Sequence, residues 1–186
     1  MTRDEAFSTL TEFTKGESLL KHARTVEAVM RAFAAKRGED VEKWGIAGLL
    51  HDFDYEMHPT LPDHPLKGSE ILKARGVPED VRTAILGHAG NEIGVARETP
   101  MAKVLYAVDE LAGFVTAVAL VRPSKAIRDV EPKSVLKKFK DKTFAAKVSR
   151  EDMTRGMAEL GVDPAAHIAE VIAAMQAVAA DIGLAG

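Results

Sequence analysis

The chain has 186 residues, of which 46% are hydrophobic and 28% charged, and its formal net charge is −3. This composition is typical of a soluble globular domain and excludes disordered and fibrous proteins. Cysteine is absent, so any bound metal must use histidine and carboxylate ligands. The longest apolar run, Leu111 to Val121, is too short to span a bilayer, and the first residues lack a secretory signal pattern. We therefore expect a cytoplasmic protein without a membrane partner.

Apolar residues recur at steps of three and four along nearly the whole chain, which predicts helices and no strands. N-capping residues and first-turn prolines, as at Thr99-Pro100 and Asp163-Pro164, mark where helices begin. Ser149 resembles another N-cap, and Pro123 and Pro132 divide the region before it into short pieces. The predicted helices cover residues 3–14, 18–37, 41–51, 65–76, 78–88, 99–122 and 164–182. The prediction is an all-α domain whose neighbouring helices pack antiparallel or steeply crossed.

The charge is distributed unevenly, although no repeat or linker divides residues 1–186 into more than a single domain. Between residues 122 and 150, ten Lys or Arg face three acids, a local net charge of +7. Such a stretch can attract an anionic ligand, but it is more often a solvated surface. Its only aromatic residues are Phe139 and Phe144, and it has no known readout motif, so we do not expect a nucleic-acid partner.

The segment "LLHDFDYEMHP", residues 49–59, collects several groups that can bind metals. His51 and Asp52 follow directly on an apolar stretch, which places them at the rim of the core, where polar side chains need partners. A His-Asp pair at an exposed helix end is the alternative, because such dipeptides also arise by chance.

Asp109 lies within the apolar helix "VLYAVDELAGFVTAVALV". A carboxylate on an apolar face is costly unless a cation or donor meets it, and Ala112 and Gly113 leave room for a close approach. The helix alone equally allows an Asp109 on the exposed edge beside Glu110. His22 is likewise ambiguous, since a lone histidine on a helix face is more often a core residue than a ligand.

Taken together, His22, His51-Asp52 and Asp109 form the ordered set H…HD…D, which resembles the HD superfamily of metal-dependent phosphohydrolases. The resemblance implies an all-α HD-domain helical bundle in which these four residues bind a divalent metal. It covers roughly residues 18–122, which would form the metal-binding core, with 123–186 as a C-terminal helical extension.

Two further segments, "HPLKGSEIL" from His64 and "ILGHAG" with His88, are similar to those of two-metal HD proteins, including the HD-GYP phosphodiesterases. By this resemblance one metal takes His22, His51, Asp52 and Asp109, and a second takes His64 and His88, with Asp52 bridging. The GYP signature is missing, so cyclic dinucleotide hydrolysis is not implied. Imidazole and carboxylate ligands suit one or two ions of Fe, Mn, Zn, Ni or Co better than Ca or Mg.

The predicted function is cleavage of a small phosphate ester or nucleotide by a metal-activated hydroxide, with Asp52 and Lys67 as catalytic residues. Lys67 lies one turn beyond His64, where it is also a candidate substrate contact. Arg122 and Lys125 would hold the far end of an anionic substrate or form a lid. For all three residues, a solvated side chain is the alternative. The "VRPSK" stretch that contains Arg122 and Lys125 also resembles small uncharacterised HD-domain hydrolases.

Two other functions stay open at this stage. Two-metal HD relatives include di-iron oxygenases that act on inositol or phosphonate substrates, and the domain could instead be a non-catalytic sensor that binds a nucleotide or a protein. The sequence does not decide the substrate, the native metal, the number of ions or the oligomeric state.

Overall fold

A computed structural model describes residues 1–186, which form ten α-helices and one short 3-10 helix, without a β-strand. The all-α prediction is confirmed. None of the helices combines the length and apolarity that a membrane span requires. The helices are α1 (Arg3–Phe13), α2 (Glu17–Arg37), α3 (Val41–Leu50), α4 (Asp63–Ala74), α5 (Glu79–His88), α6 (Gly90–Ile93), α7 (Pro100–Leu120), α8 (Pro132–Phe139), α9 (Arg150–Leu160) and α10 (Pro164–Ala177), with the 3-10 helix at Ile127–Asp129.

The three predicted N-caps are confirmed by hydrogen bonds. The side chains of Thr99, Ser149 and Asp163 accept from backbone N–H groups three residues further on, at 3.2, 3.1 and 2.9 Å. These bonds satisfy N–H groups that have no partner within the helix. The predicted end of the last helix at residue 182 was wrong: α10 stops at Ala177, and turns follow it.

The long helix α7 lies at the centre of the molecule and contacts α2, α3, α5, α8, α9 and α10. A single hydrophobic core contains buried residues from Ala6 to Leu184, so the C-terminal part of the chain shares the core of the N-terminal part. Phe114 of α7, for example, packs edge-on against Phe139 and Phe144, with ring centroids 5.8 and 5.5 Å apart. The division into a core at 18–122 and an extension at 123–186 stays a prediction.

The helices α2 and α3 make the most extensive helix contact in the molecule. Gly48 of α3 is the point of close approach, because a Cβ there would lie 2.8 Å from the backbone oxygen of Val26 and 3.0 Å from Cα of Glu27. Backbone atoms cannot move aside as a flexible side chain can. This approach brings the end of α3, where the His-Asp pair lies, close to α2.

We therefore expect Gly48→Ala to lower the free energy of unfolding by about 1–3 kcal/mol, because the added methyl overpacks the contact between α2 and α3. Gly113→Ala on α7 is the matched control, since its Cβ would meet no atom within 4 Å. It should raise stability by about 0.5–1 kcal/mol through better helix propensity. Urea unfolding followed by circular dichroism measures both, and a Gly48→Ala variant as stable as the wild type would contradict the packing described.

Candidate metal centre

Six side chains from distant parts of the chain converge beside α7. Four are the imidazoles of histidines on or next to α2, α3, α4 and α5, and two are carboxylates, one after α3 and one in the middle of α7. They are His22, His51, Asp52, His64, His88 and Asp109. The structure thus brings together all six residues that the resemblance indicated as metal ligands.

The carboxylate of Asp52 lies between two groups of imidazoles. Its Oδ2 is 3.5 Å from Nε2 of His51. Its Oδ1 faces the other way, 3.2 Å from Nε2 of His64 and 3.4 Å from Nε2 of His88. The two oxygens of one carboxylate therefore take part in two separate clusters, an arrangement that suits a ligand bridging two ions.

Each cluster is tight enough for a metal ion. In the first, Oδ1 of Asp109 lies 2.9 Å from Nε2 of His22 and 3.2 Å from Nε2 of His51. In the second, the Nε2 atoms of His64 and His88 are 3.1 Å apart. The ligand atoms of His22, His51 and Asp52 all lie within 4.8 Å of one another, as do those of Asp52, His64 and His88.

Hydrogen bonds at Nδ1 hold three of the histidines in the form that binds metals. Nδ1 of His51 donates to the backbone oxygen of Gly48 at 2.8 Å, Nδ1 of His64 donates to Oδ1 of Asp54 at 2.8 Å, and Nδ1 of His88 donates to the backbone oxygen of Ile85. A histidine that donates from Nδ1 can present the lone pair of Nε2 to a metal.

The surroundings of His51 fit a bound ion. Its side chain is fully buried, and although carboxylate oxygens of Asp109 and Asp52 lie 3.2 and 3.5 Å from Nε2, neither has the geometry of a hydrogen bond to it. A buried polar atom without a partner is costly, and a metal ion held with Asp52 and Asp109 would satisfy it. The absence of any thiolate and the mixture of imidazole and carboxylate donors suit a divalent transition metal.

The charges of the centre favour a cation. Burial alone would raise the pKa of Asp52, but the facing imidazoles, above all His51, hold that pKa well below its usual range. Similarly, burial would lower the pKa of His64, yet hydrogen bonds with Asp52 and Asp54 outweigh it and raise this pKa to about 9. The carboxylates that face these imidazoles therefore stabilise positive charge at the point where the Nε2 atoms converge.

Asp54 orients His64 from outside the cluster. Its side chain is fully buried, accepts from Nδ1 of His64, and accepts with Oδ2 from the backbone N–H of Gly68 at 3.1 Å. Only glycine fits at position 68, because a Cβ there would lie 2.5 Å from the Asp54 carboxylate. Asp54 thus supports His64 from the turn that follows α3.

A cavity of about 610 Å³ opens over the centre. None of the residues that line it is lysine or arginine, whereas Glu92, Glu110 and Asp152 add carboxyl groups to its wall. Glu110 is half-buried and accepts from the backbone N–H of Ser149 at 3.1 Å, while burial and the adjacent Asp109 raise the pKa of Glu110 to about 7. In the sequence, Glu110 was considered only as a neighbour of Asp109. Its position next to a candidate ligand in an apolar helix could have indicated that it belongs to the site.

Tyr106 is a second wall residue whose role was missed. It lies one turn before Asp109 on α7, and its hydroxyl donates to Oδ1 of Asp152 at 2.7 Å and accepts from Asn91 at 2.8 Å. Burial and the bond to Asp152 raise the pKa of Tyr106 to about 12. This phenol therefore stays protonated and ties α9 to the cavity wall.

The three basic residues predicted to contact substrate do not line the cavity. Lys67 is exposed and pairs with Asp63 at 2.6 Å. Arg122 donates to Oγ of Ser134 at 2.9 Å, and Lys125 is exposed on the turn beyond α7. A substrate contact by any of them stays a prediction, as does a catalytic role for Lys67.

Comparison with known proteins agrees with this geometry. The model of the family "HD domain" matches residues 19–113, about half of the chain. The chain belongs to the HD-domain family, a family of metal-dependent phosphohydrolases that bind divalent metals.

Several proteins that the chain resembles are ribonucleases. Ribonuclease Y of Thermosipho melanesiensis is 31% identical over 117 residues, which cover 62% of this chain and 21% of the relative. Ribonuclease Y of Nitratidesulfovibrio vulgaris is 32% identical over 98 residues (52% and 18%), and that of Thermotoga maritima is 27% identical over 140 residues (73% and 27%). The chain thus spans about a fifth to a quarter of the length of these relatives. No solved structure matches it significantly.

Asp54→Asn tests how His64 is oriented. An amide at this position can offer N–H to Nδ1 of His64, which favours the proton on Nε2 and blocks the ligand atom. We expect the affinity for the second of two Mn²⁺ ions to fall about 10–100-fold, as is usual when a residue that orients a ligand is changed. Calorimetric titration of the metal-free protein measures this. Asp63→Asn, which removes only an exposed ion pair with Lys67, is the control, and wild-type affinity in Asp54→Asn would refute the role of Asp54.

Proposed function

We propose that the chain is a metal-dependent phosphohydrolase that cleaves a small phosphate ester or nucleotide. The observation that carries this proposal is the convergence of Nε2 atoms on both sides of Asp52, with Nδ1 of His51, His64 and His88 bonded to protein acceptors. A structural histidine cluster does not need this common orientation, whereas a pair of metal sites does.

In this proposal, His22, His51, Asp52 and Asp109 hold one ion, and Asp52, His64 and His88 hold the other. Bound divalent ions lower the pKa of water enough to supply a nucleophile near neutral pH and neutralise charge that develops on phosphorus. The protein aligns the ligand atoms, and its cavity admits the phosphate group. No nucleophilic side chain is required.

The lining of the cavity determines how phosphate can bind. Because the wall carries carboxylates and no lysine or arginine, it repels an anion unless metal ions reverse the local charge. Phosphate affinity should therefore depend on the metal as strongly as turnover does.

We expect removal of metal by a chelator to weaken binding of inorganic phosphate by about 100-fold or more, equivalent to roughly 2.7 kcal/mol. Addition of Mn²⁺ should restore it. Isothermal titration calorimetry with inorganic phosphate measures both states. Equal phosphate affinity in the metal-free and Mn²⁺-loaded protein would mean that the anion binds elsewhere.

Hydrolysis of RNA is a second candidate. It is favoured by the names of the relatives and by the position of Val148, which lines both the metal cavity and an adjoining surface pocket that includes Lys140 and Lys142. These exposed lysines can attract a phosphodiester backbone, although the small number of aromatic residues nearby offers little stacking.

One set of assays tests both functions. Asp52→Ala should lose metal retention and all turnover, because both clusters share this carboxylate, whereas Asp129→Ala, an exposed control, should retain them. The substrates are phosphate monoesters, nucleotides and a single-stranded RNA oligonucleotide, each with Mn²⁺, Fe²⁺, Zn²⁺, Ni²⁺ and Co²⁺. If RNA is the substrate, the double variant Lys140→Ala/Lys142→Ala should lose activity on RNA and not on small esters. A fully active Asp52→Ala variant contradicts either function.

A further inference from the structure

A second cavity adjoins the metal cavity. It has a volume of about 440 Å³ and lies between α2, α7 and residues 182–184 of the C-terminal segment. His22 and Gly113 line both cavities. The second cavity, here called the side pocket, therefore begins beside one of the candidate metal ligands.

The side pocket extends along α7 away from the metal centre. Asp109, Gly113, Thr116 and Leu120 follow one another at helical spacing on one face. At 1.5 Å per residue, Thr116 and Leu120 lie roughly 10 and 16 Å beyond Asp109 along the helix. A Cβ at Gly113 would meet no atom within 4 Å, so the passage between the cavities is open at this residue. A phosphate at the metal centre would have its organic part within reach of this space.

The walls of the side pocket combine hydroxyl groups with an apolar surface. Ser18 and Thr116 contribute hydroxyls from facing helices that form no hydrogen bond within the protein, unlike Thr25, whose hydroxyl donates to the backbone oxygen of Lys21. Ile182 and Leu184, which are almost fully buried, form the apolar side. These walls suit a group that carries hydroxyls along one edge and C–H surface on one face.

The charge of the side pocket indicates a neutral ligand group. Its only cationic side chain, Lys21, pairs with Glu17 at 2.7 Å, and these two charges cancel. A second phosphate would find no unpaired cation here. The organic part of a phosphate monoester satisfies this condition, whereas a di- or triphosphate chain does not.

The wall formed by the C-terminal segment is held in place by the chain that follows α7. The backbone N–H of Ile127 donates to the oxygen of Leu184 at 2.9 Å, and Arg128 donates to the oxygen of Ala185 at 2.6 Å. Leu184 also donates its own N–H to the oxygen of Ala179 at 2.7 Å. The side pocket is thus formed before a ligand arrives, which reduces the entropy lost on binding.

We propose that the side pocket binds the leaving group of the substrate, an uncharged, hydroxyl-bearing group of sugar-like chemistry, and so determines which phosphate monoester is cleaved. This proposal rests on the proposed phosphohydrolase function. Thr116 and Gly113 are the residues of α7 that determine specificity: the first provides a hydroxyl, and the second leaves the passage open.

The experiment compares the dissociation constants of ribose 5-phosphate and inorganic phosphate for the Mn²⁺-loaded full chain, by isothermal titration calorimetry. We expect the wild type to bind ribose 5-phosphate about tenfold or more tightly than inorganic phosphate, since two or more hydrogen bonds are added. The ratio that matters is the dissociation constant of inorganic phosphate divided by that of ribose 5-phosphate. Thr116→Leu, which fills the pocket, should bring this ratio to about 1. Thr116→Val, which keeps the shape and removes the hydroxyl, should reduce the ratio by about 2–10-fold.

Thr154→Val is the matched control, because this exposed helical threonine bonds only to the backbone of its own helix; it should keep the wild-type ratio. A wild-type ratio near 1, or a Thr116→Leu variant with an unchanged ratio, would overturn the proposal.

Turnover is measured in parallel, so that failure of the side-pocket proposal can be distinguished from failure of the proposed function. If ribose 5-phosphate is hydrolysed but the ratio is near 1, only the proposed role of the side pocket is refuted. If the ratio is high but no ester is hydrolysed, the phosphohydrolase function is refuted and the proposed binding site stands. Binding of neither ligand overturns both.

Discussion

The shared carboxylate of Asp52 is the constraint on which the rest of the site depends. Its two oxygens face different imidazole clusters, at 3.5 Å on one side and 3.2 and 3.4 Å on the other. A carboxylate that is partly buried among imidazoles is stabilised by positive charge beside it. Four helices must therefore meet at this residue in a fixed arrangement, and the close approach of α2 and α3 at Gly48 is part of what allows them to do so.

The same scaffold also orients the histidines, in two different ways. His51 and His88 each lie at the C-terminal end of a helix and donate Nδ1 to a carbonyl three residues earlier. Carbonyls in the last turn of a helix have no partner within it, so they are available as acceptors. His64 precedes the regular part of α4, with an extended backbone at φ −80° and ψ 132°, and has no such carbonyl. The buried carboxylate of Asp54 takes its place.

Most helices and their N-caps could be predicted from the sequence, because they depend on periodicity and capping chemistry. The six converging side chains were indicated by the resemblance of ordered motifs to the HD superfamily. The direction of a side chain is harder to predict. Lys67 follows His64 by one turn in the sequence, but His64 has a non-helical backbone at the start of α4, so helical spacing from it does not apply. In the structure Lys67 pairs with Asp63, and its contact with substrate stays a prediction. The contact between Tyr106 and Asp152 joins residues 46 positions apart, and the side pocket needs three segments at once. No local pattern indicates either.

The most direct test of the account is the number and position of metal ions bound to the intact protein. A crystal structure of the Mn²⁺-loaded chain, with anomalous diffraction data, locates them without relying on activity. The account predicts two ions, one on each side of the Asp52 carboxylate, each in contact with Nε2 atoms of the histidines in its cluster. A structure without an ion at these histidines, or with Asp52 turned away from both clusters, would contradict it.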